Sequence, residues 1–219
     1  MRIIIRTYLP CLLLVAGMSQ AAEWKIDPTL RFRAGYNDNI RLSTDNEVSS
    51  AEATFSPGAV FSVATPTSGA SGEVHFDFRR FEADSDLDDN NTRVKINSFH
   101  NQERSRLGLD LGFVKDTTLD SQLKATGLAL GRIRRQSVTA SPSSTYTLDE
   151  RTRVSANYSY RDVEYINPGD TRFANYTQNS TQASLTRVIN EQMTASMTLS
   201  GDNTNSDNDV ESTNINLQG

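Results

Sequence analysis

The sequence predicts an all-β protein, an antiparallel, up-and-down transmembrane β-barrel of which about ten strands are visible and which is expected to continue into a larger barrel. Three observations lead there. Side chains alternate between an oily and a wet parity in segment after segment, the signature of strands with two different solvents on their faces. Short turns and long polar loops alternate along the chain, which puts all long loops at one end of the strands. Finally, the oily parity contains many small residues, and only 36% of the chain is apolar. Two packed sheets would need bulky side chains to fill the space between them, whereas lipid flows around small ones.

The first 22 residues, "MRIIIRTYLPCLLLVAGMSQAA", read as a secretory signal peptide. Arg2 and Arg6 precede an apolar run from Leu9 to Val15, and Ser19 and Ala21 stand at a cleavage spacing. The run is too short to cross a membrane as a helix. The only cysteine, Cys11, lies inside it, so the remaining chain has no disulfide scaffold. Residues 23–219 are then expected to form one outer-membrane barrel domain.

Ten segments follow, near 29–40, 51–64, 72–82, 92–101, 105–115, 136–148, 152–165, 178–189, 192–201 and 211–219. In the first, Arg31 and Arg33 share one parity. The third, "GEVHFDFR", sets Val74, Phe76 and Phe78 against His75, Asp77 and Arg79. In the fourth, Arg93 and Lys95 take the wet side, although parity is lost between Ile96 and Phe99. The fifth, "RLGLDLGFVK", is the clearest, with Leu107, Leu109, Leu111 and Phe113 opposed to Arg106 and Asp110. Slipping it by one residue would bury an arginine in hydrocarbon at a cost of roughly 2–4 kcal/mol, so the oily parity faces lipid. The seventh places Arg153 and Arg161 on the wet side, and the ninth opposes Met193, Ala195, Met197 and Leu199 to threonine and serine.

The expected lumen wall is therefore Arg31, Arg33, His75, Asp77, Arg79, Arg93, Lys95, Asp110, Arg153 and Arg161. An aromatic girdle is expected from Tyr36, Phe81, Phe113, Tyr165 and Tyr176 near the long loops, with Phe61, Phe99 and Tyr146 nearer the short turns. Pro57 and Pro142 fall inside proposed strands, which suggests bulges or shorter strands. "STNINLQG" ends without the terminal aromatic usual for such barrels, so the chain is expected to be the N-terminal part of a longer one.

Composition and motifs exclude several functions. With 27 acidic against 22 basic residues, nucleic acid is not an expected partner. No G-x-S-x-G motif occurs, and His75 and His100 are the only histidines, so no catalytic, cofactor-binding or metal-ligating residue is assigned and an enzyme is not expected. Asp84, Asp86 and Asp88 have calcium-loop spacing, but Asp89 and Lys95 stand where an EF-hand needs Gly and Glu. They read as a solvated loop, as does "NSDND" at 205–209. Arg132, Arg134 and Arg135 read as the start of the sixth strand among lipopolysaccharide headgroups, where arginines pair with phosphates.

The opening "AEWKIDPTLRFRAGYNDNIRLS" and the hairpin "RRQSVTASPSSTYTLDERTRVSANYSYRDVEY" resemble the outer-membrane β-barrel family associated with the PEP-CTERM/exosortase system. That resemblance implies a Gram-negative outer-membrane protein linked to exopolysaccharide or its export machinery, with no functional residues to carry over. The expectation is a porin-like or structural barrel. A surface adhesion barrel with a plugged lumen, a soluble exported sandwich and an outer-membrane hydrolase are the alternatives.

Overall fold

The computed structural model describes residues 22–41, 47–118, 133–166, 173–208 and 211–218. The proposed signal peptide and the 119–132 connection, with Arg132, lie outside them. Ten strands form one antiparallel sheet in simple chain order: β1 (Glu23–Asn37), β2 (Ser50–Ala64), β3 (Ser68–Phe81), β4 (Asp89–Asn101), β5 (Ser105–Thr117), β6 (Arg134–Asp149), β7 (Thr152–Ile166), β8 (Tyr176–Asn190), β9 (Met193–Ser206) and β10 (Glu211–Gln218). Among the described residues each strand pairs only with its chain neighbours, and β1 and β10 are each paired on one side. This is an up-and-down meander, an arrangement set by hairpin connections between consecutive strands.

Connections alternate sharply in length. β2 meets β3, β4 meets β5, β6 meets β7 and β8 meets β9 through short turns. Two are closed by Thr65 N–H to Ser68 O at 2.8 Å and Gln102 N–H to Ser105 O at 2.8 Å. In two others an Asx contact supplies the bend, with Asp149 accepting from Arg151 N–H at 2.8 Å and Asn190 from Gln192 N–H at 3.0 Å. All longer connections lie at the opposite end of the sheet.

Pro57 and Pro142 sit in straight strands rather than at bulges. Leu30 still opposes Pro57 and Leu109 opposes Pro142, without a register change. Each proline interrupts only the ladder on its other side, since it lacks one N–H. At the second interruption the Ser141 hydroxyl donates to Ser159 Oγ at 3.1 Å across the gap. Register shifts occur instead near the short turns, at Thr147/Asp149 and Val188/Asn190. β9 also runs to Ser206, beyond the alternating stretch and into "DNTNS". Backbone pairing on both sides carries it, aided by Asn203 donating to Thr213 Oγ1 and Asn214 donating to Asp202, each at 3.0 Å.

There is little conventional core. Among the described residues, Ile40, Val63, Phe81 and Val163 are the buried apolar side chains, while Trp24, Leu30, Phe32, Met197, Leu199 and Ile215 are all more than half exposed. The described strands belong to a single sheet, so no second sheet packs against this oily surface.

Candidate functional site

Residues opposite one another in a ladder share a face, so register sorts the side chains. Arg31, Arg33, His75, Asp77, Arg79, Arg93, Lys95, Asp110, Arg153 and Arg161 all fall on one face. This face is concave. A single hollow of about 390 Å³ is lined by Arg31 of β1, His75 and Asp77 of β3, Arg93 of β4 and Asp116 of β5, so the sheet must curl to bring these strands around one space. Two further hollows open on the same face, one along β2–β6 and one along β5–β9.

One row through the first hollow reads Thr29, Gly58, His75, Arg93, Val114. Gly58 is there for space: a Cβ at that position would lie 2.5 Å from His75 Nδ1 and 2.9 Å from Thr29 Oγ1. The imidazole therefore lies against the neighbouring strand's backbone. In the next row Glu73 faces Lys95 across the ladder, joined at 3.1 Å. Asp116 receives two parallel bonds from Arg135, at 3.0 Å from Nε and 2.9 Å from Nη2. Both partners are largely buried, with 24% and 11% of their side chains exposed. Asn97 donates to Asp110 in the same row.

Aromatic side chains also reach this face. Phe81 is buried, in a row with Gly35 and Glu52, whereas a girdle position was expected. Tyr165 shares a row with Arg135 and packs against Phe173 in a tilted arrangement, ring centres 5.2 Å apart; Tyr176 shares a row with Val163, which is 2% exposed. These three positions take the polar parity, which the girdle expectation, drawn from distance to the loops, left out. Phe78 faces the oily side, so Phe81, three residues on, must face the other. Phe99 likewise lies on the polar face, over Gly69, with the Arg106 guanidinium 4.9 Å from its ring centre. Of the remaining expected girdle residues, Tyr36 and Phe113 take the oily parity, Tyr36 with 73% of its surface exposed.

The oily face has its own order. Phe32, Phe55 and Phe78 form a cross-strand row, the last two stacked at 6.4 Å. Nothing in the girdle expectation included them, although their shared parity was readable. Rows across the sheet change character. The row beginning at Leu30 passes through Pro57, Phe76 and Thr92 to Lys115, Gln136 and Glu164. Nearer the short turns, the row from His100 passes through Leu107, Ser144, Ala156 and Ala183 to Leu199 and Leu217. The first turns polar as the second turns oily, so the apolar band crosses the sheet diagonally.

The acidic loop between β3 and β4 is engaged internally. Asp84 caps the short 3₁₀ turn Ser85–Leu87 through Asp86 N–H and pairs with Arg41, while Asp88 accepts from Phe81 N–H at 2.9 Å. Among the described residues no group of three or more potential metal ligands occurs. His100 meets Ser68 Oγ through Nδ1 at 2.7 Å, far from His75 along β4 and β3. No family model, curated protein or solved structure matches the chain.

Proposed function

We propose that this chain is an outer-membrane β-barrel, porin-like or structural, whose concave polar face lines a hydrated interior and whose oily face meets lipid. The diagonal band supports this reading. Its loop-side limit falls from the row of Tyr36 on β1 to the row of Ile215 on β10, which is the row of Trp24. That is a drop of about one residue per strand step, and with a rise of ~3.4 Å per residue and ~4.8 Å between strands it corresponds to a tilt of about 35–45°. Transmembrane barrels tilt their strands by roughly that angle, so the band becomes level with a bilayer when the strands lean. A soluble sheet has no reason to align its greasy residues along such a line.

The resemblance noted above extends the proposal to export or assembly of surface exopolysaccharide. A second reading, a barrel with an occluded interior that binds through its loops, draws on Val163, Tyr165, Phe173 and the Arg135–Asp116 pair crowding the loop end of the polar face. Planar-bilayer recording of the refolded chain separates them. Stable open steps support the conduit; a silent but lipid-inserted protein supports occlusion. A chain that stays monodisperse in plain buffer, with no detergent, removes both.

A further inference from the structure

We propose that the hollow between β1 and β5 binds a small acidic sugar, its acidic group held between Arg31 and Arg93. The inference rests on reading the polar face as a hydrated interior. Arg31 and Arg93 line the same hollow, and neither makes a hydrogen bond or ion pair among the described residues. The neighbouring carboxylates are committed elsewhere, Glu73 to Lys95 at 3.1 Å and Asp116 to Arg135 at 2.9 Å. Within the lining, the cations Arg31, Arg93 and Lys115 stand against Asp77 and the already paired Asp116, which leaves the hollow electropositive. Guanidinium forks pair with planar carboxylates and with phosphates, and concave walls strengthen the attraction.

Size and lining select the rest of the ligand. A hollow of about 390 Å³ falls within the ~300–1,000 Å³ range of small-molecule sites. Apart from Leu30 and Val114 the lining is polar or charged, and Thr29, Ser56, His75 and Asp77 contribute hydroxyls, an imidazole and a carboxylate to it. Such a surface suits a solute covered in hydroxyl groups and gives no purchase to an acyl chain. Asp77 accepts from ring hydroxyls, a role that a bare inorganic anion would not use.

Calorimetric titration of the detergent-folded full chain with glucuronate, glucose 6-phosphate and glucose tests this. At least one acidic sugar is expected to bind about tenfold more tightly than glucose, and the order of the two identifies carboxylate or phosphate. The Arg31→Gln/Arg93→Gln protein is expected to lose that preference while keeping its β-sheet circular dichroism; Arg153→Gln, on the same face but distant, is expected to keep it. If the double variant does not fold, Arg31→Gln alone, on an exposed edge strand, carries the comparison. Equal binding of glucose and the acidic sugars, no binding of any probe, or a preference that survives both substitutions overturns the assignment. Detergent dependence is read separately, so such a failure leaves the barrel proposal standing.

Discussion

Single atoms decide how closely these strands approach. A Cβ on Gly72 would lie 2.6 Å from the Lys95 carbonyl oxygen and 2.5 Å from Phe61 Cζ, and the carbonyl belongs to the ladder and cannot swing away. Gly72→Ala is therefore expected to cost about 1–3 kcal/mol in urea unfolding. Gly108→Ala meets only the Ser143 hydroxyl, which can rotate, and is expected to stay within about 0.5 kcal/mol of the parent. Equal losses at both sites would mean that the strand backbones are spaced differently. Ion pairs divide the same way by burial. Removing Asp116 strands a largely buried guanidinium, so Asp116→Ala should lose about 1–3 kcal/mol. Lys25 and Asp27 are both more than half exposed, and Asp27→Ala should change stability by less than about 0.5 kcal/mol in the same measurement.

At the level of the strand, parity was readable and extent was not. All ten segments exist, because period-two alternation is a local property that each strand displays by itself. The sequence carried β9 only to residue 201, since Gly201–Ser206 has no alternation; ladder bonds to β8 and β10 extend it. It also misread the prolines, whose missing N–H affects one neighbour and leaves the register with the other intact. Parity yields a direct test on β3 and β5. Leu111 lies in the middle of the oily band, so Leu111→Arg should reduce folding stability in phospholipid vesicles by about 2–4 kcal/mol. Ser71, exposed on the polar face, should accept arginine with less than about 1 kcal/mol of change. Similar penalties at both positions would show that lipid does not contact one face alone.

Across the whole molecule, the diagonal of the apolar band makes a prediction about orientation. Polarised infrared spectroscopy of the protein in stacked bilayers should give a mean strand tilt of about 35–45°. Strands lying parallel to the membrane normal, or flat on its surface, would contradict the lipid-facing assignment. The same geometry relates the two halves of the sheet: β1 carries its oily residues up to Tyr36, and β9 carries them down to Met193. Neither strand alone reveals a tilt.

The amino-acid sequence by itself located the ten described strands, which parity is oily on the best of them, the turn and loop ends, and the shared parity of ten polar residues. Each of these depends on near neighbours in the chain, where side chains alternate by covalent geometry. Only the tertiary structure decided the register, and with it the diagonal band, the placement of Phe81, Tyr165 and Tyr176 on the polar face, and the presence of Arg31 and Arg93 in the lining of one hollow. Register is a relation between strands: backbone ladders accept many alignments, and the pairing chosen is the one that satisfies turns, cross-strand contacts and both solvents together.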